Sequence, residues 1–195
     1  GLSLSGAAYQ GVFQNPLVAP DLLGISAGAC VGASAAILMG LNTGGVQLLA
    51  LFGGLLAVAC AMAIPWLLKN DSTLMLVLSG VIISGFMNAV IGVLKYIADS
   101  ETQLPAITYW QMGSLSETMP ESILSVTPAM LLSAAVLLCM SWRVNILSLG
   151  DEEAMSLGIH LGRTRTVVIV SATLLTGCAV CVSGIVVGWG WLSPT

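Results

Sequence analysis

Charge is what this 195-residue chain has least of: Asp, Glu, Lys and Arg make up 7% of it, against roughly 25% in ordinary soluble domains. No charged residue occurs from Leu22 to Leu68, from Ser72 to Leu94, from Ser122 to Trp142, or after Arg165. Stretches this long and apolar exclude a water-soluble globule. Because no Asp, Glu or His lies inside a predicted span, the ionisable relays of ion-coupled transporters are missing. For the same reason Ser and Cys have no base beside them for intramembrane hydrolysis or redox chemistry. A GxxxxGK[ST] phosphate loop is absent, so the chain carries no nucleotide-hydrolysing site of that kind. The nine acids behind the net charge of −4 are spread over several loops; they build no patch, and nothing in the charge pattern suits a nucleic acid. An initiator Met and a basic leader are also missing. Gly1 opens inside an apolar segment and Thr195 follows another, which reads as part of a larger membrane protein.

What is present is hydrophobic: 57% of the residues and a mean hydropathy of +1.00. A bilayer core about 30 Å thick takes about 20 apolar residues per helix. In lipid, backbone groups are satisfied only by helices or closed barrels, and these runs are too continuous for barrel strands. The expected fold is therefore all-α, a polytopic transmembrane bundle with lipid as its surroundings. Spans are predicted at 1–13, 24–40, 46–68, 74–97, 122–141 and 166–187. Pro65 is expected to kink or end the third. Residues 99–121 are too polar to cross; within them Ile107 to Met112 suits a short interfacial helix anchored by Tyr109 and Trp110.

Basic residues give the orientation. Lys69, Arg143, Arg163 and Arg165 fall in loops on one side, which should be cytoplasmic. Lys95 is the exception, at a helix end where its stem can snorkel. Asp99, Glu101, Glu117 and Glu121 lie on the other side. The five cysteines, Cys30, Cys60, Cys139, Cys178 and Cys181, all sit in apolar segments and read as small hydrophobes. Cys178 and Cys181 have CxxC spacing, but further ligands are wanting and His160 is predicted in a loop. Neither a metal site nor a cofactor is expected.

Two stripes recur every fourth residue. Gly24, Gly28, Gly32, Ala36 and Gly40 let another helix approach closely and read as helix packing. Gly80, Ser84, Asn88 and Gly92 put polar groups on one face of the fourth span. An amide at mid-membrane needs a partner or water, so Asn88 reads either as path-lining or as an interhelical hydrogen bond. At the cytoplasmic start of that span, Asn70, Asp71, Ser72 and Thr73 offer an N-cap.

Three blocks resemble the permease subunits of ABC importers for iron-siderophore complexes, haem and vitamin B12, the FecCD/BtuC type. The first runs from Ser5-Gly-Ala-Ala-Tyr-Gln10-Gly through Asn15-Pro16-Leu-Val-Ala-Pro20-Asp21-Leu-Leu-Gly24-Ile-Ser26-Ala-Gly28, similar to the signature GxxxQxxxxNPLAxPxLLGxSxGA. The second, Tyr109-Trp110-Gln-Met-Gly113-Ser-Leu, looks like WxxGSL. The third, Asn145-Ile-Leu-Ser-Leu149-Gly150-Asp-Glu152-Glu-Ala154-Met-Ser-Leu157-Gly158, resembles LxLGxExAxxLG. The blocks keep the family's order and spacing over nearly the whole chain. After Val182-Ser183-Gly184 the chain departs: Gly188-Trp-Gly-Trp191-Leu-Ser-Pro194-Thr195 only approximates the family's Gly-Leu-x-x-Pro-His element.

The resemblance implies a type II ABC importer permease of roughly ten spans, of which this chain covers about six as one partial transmembrane domain, residues 1–195. It implies a multi-pass protein of the cytoplasmic membrane that forms a permease homodimer in the lipid bilayer, with a separate ABC ATPase and an external substrate-binding protein as partners. Residues 143–163 would form the cytoplasmic coupling segment. Within it Asp151, Glu152 and Glu153 would favour a helix start, Ala154, Leu157 and Gly158 would offer a small apolar face, and Gly158 would end the helix. A second short helix is expected near Leu161. Ser72 and Thr73 would lie near the gate, and Ser84 and Asn88 along the path. The expected function is a transport subunit, not an enzyme, most simply for a ferric siderophore, with haem, cobalamin or an oxyanion as other cargoes. The alternative is an ion-coupled transporter or another polytopic channel.

Overall fold

The computed structural model describes residues 1–15, 18–19, 21–68, 72–113 and 120–184, excluding the side chains of 120–125 and 151–152. Regular structure among the described residues is entirely helical: α1 (Leu2–Phe13), α2 (Ile25–Leu38), α3 (Thr43–Leu67), α4 (Thr73–Ile97), α5 (Gln103–Met112), α6 (Pro120–Cys139), α7 (Ser141–Leu149), α8 (Asp151–Ser156) and α9 (Leu161–Ser183). By length and composition α3, α4 and α9 can each cross a membrane, and α6 with α7 adds a fourth, bent by 53°. All six predicted spans have a helix, although α2 is shorter than expected at 14 residues.

Three local readings need correction. α5 begins at Gln103, before the predicted Ile107; Pro105 is accommodated because N–H groups in the first turn have no intrahelical partner to lose. The residues after Trp142 are helical, since α7 buries Ile146 and Leu147 between polar neighbours. α9 starts at Leu161, so the expected separate short helix is its first turn. Pro65 lies in the last turn of α3, which ends at Leu67, close to where that proline was expected to end the span. The readings at Pro16, Leu17, Pro20, Lys69, Asn70, Asp71, Glu117 and residues 188–195, and those of the Glu121 side chain, lie outside the described residues.

The described residues fall into two compact units, one from Gly1–Pro20 with Thr127–Thr176 and the other from Asp21–Val126 with the end of α9 from Gly177. In the first, α1 packs on α7. Tyr9 and Phe13 stack with ring centroids 6.0 Å apart. The Tyr9 hydroxyl lies 2.7 Å from Thr173 Oγ1, and Thr176 Oγ1 donates to Ser5 Oγ at 2.9 Å. These bonds satisfy hydroxyls that would otherwise be costly to bury.

In the second unit α2 and α3 form a helical hairpin. Asn42 caps α3 by accepting from Gly45 N–H at 3.0 Å. The core joins Ala29, Ala33, Ala36, Val46 and Ala50 to Val180 and Cys181, with Trp110 of α5 packed against it. α4 lies against α2 and α3, fixed by Ser79 Oγ, 2.7 Å from the Ala61 carbonyl. At the start of α5, Asp99 accepts from the Thr102 hydroxyl at 2.7 Å and its N–H at 3.0 Å. Those bonds favour the carboxylate and hold its pKa below the ordinary value.

Candidate functional site

Two features can carry function: the helical corner that follows the bent α6–α7 pair, and an open face on α4. The corner is built from α7 and α8, joined at Gly150 with φ 136°. α8 ends in a Schellman motif: Ile159 N–H donates to the Ala154 carbonyl and Gly158 N–H to that of Met155, both at 3.0 Å. Gly158 has φ 77°, the left-handed conformation its sequence context predicts. Two carbonyls left over by the short helix are thereby satisfied, which holds the corner in one shape.

Within the corner, Ala154 is fully buried and anchors α8, while Met155 and Leu157 are 56% and 61% exposed. The exposed apolar side chains here are therefore Met155 and Leu157, and Ala154 is not among them. Glu153 is exposed, and its carboxylate lies back over Gly150. The side chains of Asp151 and Glu152 are outside the described residues, although both residues open α8. Trp142 and Leu149, on α7, are also exposed. Met155 and Trp142 are not among the residues the sequence singled out; large apolar side chains beside charged ones were the signal available.

On α4, Ser72 caps the helix by accepting from Met75 N–H at 3.2 Å, and Thr73 is its first residue. The polar stripe divides. Gly80 is buried, and a Cβ there would meet the Leu22 carbonyl. Ser84 is half-buried, with its hydroxyl against Gly24, where a Cβ would lie 2.6 Å from Oγ. Asn88 and Gly92 are exposed, as are Gly85 and Ala89, and large apolar side chains such as Phe86 and Val93 are exposed beside them. A Cβ at Gly85 or Gly92 would meet nothing within 4 Å.

The other stripe is enclosed. A Cβ at Gly28 would strike the Gly53 carbonyl and one at Gly32 the Leu49 carbonyl, so at both positions α3 approaches α2 backbone to backbone. Gly24 precedes α2 with φ 79°. Asp21 Oδ1 accepts from Ser26 N–H at 2.8 Å, covering the helix start. Although Asp21 keeps an exposed edge, protein packed around its carboxyl raises the pKa, and its bonds to Ser26 oppose that shift. The five cysteines are free, and no group of three or more His, Cys, Asp or Glu is placed to hold a metal among the described residues.

The family model of the FecCD transport family matches residues 1–194. The chain belongs to the FecCD transport family. Among FecCD relatives, the molybdate import system permease protein MolB of Haemophilus influenzae is 38% identical over 97% of this chain and 56% of its own length. A probable iron chelatin transport system permease of Helicobacter pylori is 39% identical over 96% and 56%. The cobalamin import permease BtuC of Halobacterium salinarum is 34% identical over 99% and 52%. A solved structure of a metal-chelate type ABC transporter in an inward-facing conformation superimposes with a TM-score of 0.90 at 37% identity, covering 98% of this chain and 60% of that one. The chain thus spans about half the length of the curated relatives it matches. Like other FecCD members, it is a multi-pass protein of the cell membrane, and its apolar helices suit that setting.

Proposed function

We propose that this chain is the greater part of a permease subunit of an ATP-driven ABC importer, forming the translocation path while a separate ATPase hydrolyses ATP. The observation that carries the coupling assignment is the exposed apolar pair Met155 and Leu157 on the capped α7–α8 corner. The bias of basic residues puts this corner in the cytoplasm, and apolar surface held out in water marks a protein contact. Residues 143–163 then form the coupling segment within a single transmembrane domain. Asp151, Glu152 and Glu153 suit the N-terminal end of α8 electrostatically, and Leu157 and Gly158 bound the docking surface.

The exposed face of α4 supports a path along Ser84 and Asn88, with Ser72 and Thr73 near the cytoplasmic gate. Small groups there leave room for a bulky cargo without holding it tightly. The complete permease pairs with a second copy and receives cargo from an external binding protein. Ferric siderophore is the cargo we put first; the names of the relatives make cobalamin, haem and molybdate the alternatives to compare.

The test uses the full-length permease with its ATPase. Leu157→Asp is expected to abolish co-purification and ATP-dependent uptake while leaving membrane insertion intact. Unchanged association and uptake would refute the docking assignment. Uptake of ferric siderophore, haem, cobalamin and molybdate by the unmodified transporter decides the cargo.

A further inference from the structure

Gln14 is the only residue other than glycine with positive φ among the described residues, at φ 52° and ψ 33°. It follows the last turn of α1, where glycine is the residue that takes this conformation without strain. A backbone outlier kept by a residue with a Cβ points to work done by its side chain. That side chain reaches α7: Gln14 Nε2 donates to the Leu147 carbonyl at 3.0 Å, across 133 positions of sequence. Leu147 is fully buried, and its carbonyl is one of the last four of α7, which lack partners within their own helix.

A second attachment lies one turn away. A Cβ at Gly11 would lie 2.5 Å from Val144 Cγ1, so α1 and α7 touch there with no room for a side chain. Val144 is β-branched and stiff, which makes the contact a firm one. Gly11 and Gln14 therefore meet Val144 and Leu147 at matching three-residue spacings. Farther along α1, Tyr9 bonds Thr173 and Ser5 bonds Thr176 of α9.

We propose that Gln14 is a positioning residue: it latches the end of α1 to α7, so that displacement of the α7–α8 corner is passed to α1 and, through Tyr9 and Ser5, to α9. This rests on the coupling role assigned above. In it, the ATPase moves the corner, the Gln14 bond and the Gly11 contact make α1 follow, and the buried hydroxyl bonds carry α9 along.

The experiment uses the full-length permease with its ATPase and binding protein in liposomes, with ferric siderophore and molybdate as transported probes, and measures uptake per ATP hydrolysed. Gln14→Gly suits the backbone better than glutamine, so the thermal midpoint should not fall. Uptake per ATP should nonetheless drop about fivefold, the scale of a lost coupling contact. Gln14→Arg, which restores an N–H donor, should recover most of it. An unchanged ratio in Gln14→Gly overturns the latch, as does a parallel fall of uptake and hydrolysis, which signals lost assembly. Leu157→Asp run alongside separates the two assignments. If it abolishes association while Gln14→Gly keeps a normal ratio, only the latch fails; if it leaves association intact, the docking assignment fails first.

Discussion

α2 and α4 carry the same sequence device, small residues at every fourth position, and end in opposite surroundings. On α2, Gly28 and Gly32 face α3 so closely that backbone meets backbone, and Ala29, Ala33 and Ala36 are buried in the core. On α4 the stripe is covered only at Gly80 and partly at Ser84, while Asn88 and Gly92 are open. Small-residue spacing thus permits close approach without saying what approaches. The chemistry on the stripe distinguishes the two: α2 carries Gly28, Gly32 and Ala36 there, whereas α4 carries Ser84 and Asn88. An amide is costly against lipid, so an open Asn88 suits water or a partner better than hydrocarbon.

The largest effect that could break this contrast belongs to α2. Gly32→Leu should cost about 3 kcal/mol or more, because its side chain must displace the α3 backbone, which cannot rotate away. Thermal unfolding in detergent checks this, and Gly92→Leu on α4 should leave the midpoint almost unmoved. Next comes Asn88→Leu, expected to cut uptake several-fold while changing stability by no more than about 0.5 kcal/mol. Smaller still is Ser72→Ala, which removes the cap of α4 and should cost about 1 kcal/mol, read by faster amide exchange at Met75.

The smallest effect lies at α5, outside both helices. Because the pKa of Asp99 is lowered in the folded protein, its stabilising bonds are fully present above the ordinary carboxylate range and are lost as pH falls through the folded value. Asp99→Asn should weaken the Thr102 bonds already at neutral pH. Amide exchange at Thr102 followed against pH measures both.

The fold was legible wherever charge was absent, since long uncharged intervals in a bilayer leave the backbone little choice but helix. It was less legible where polar residues interrupt a helix. Arg143, Asn145 and Ser148 hid α7, although Ile146 and Leu147 are buried between them. Arg163 and Arg165 made the first turn of α9 resemble a flank. The site was readable in part: Gly158 announced its own cap, but the burial of Ala154 and the exposure of Met155 depend on how α8 settles against its neighbours. The Gln14 to Leu147 bond lay beyond local reading, because its partners are 133 residues apart.

The most direct test of the account is aqueous thiol labelling of Asn88→Cys in a full-length, otherwise cysteine-free permease assembled with its ATPase. An Ala36→Cys variant serves as the buried control, since Ala36 is fully enclosed. Labelling at 88 should be fast, should change in rate when ATP binds, and should lose that ATP dependence in the Leu157→Asp background. Labelling at 88 as slow as at 36, with or without ATP, would contradict the account.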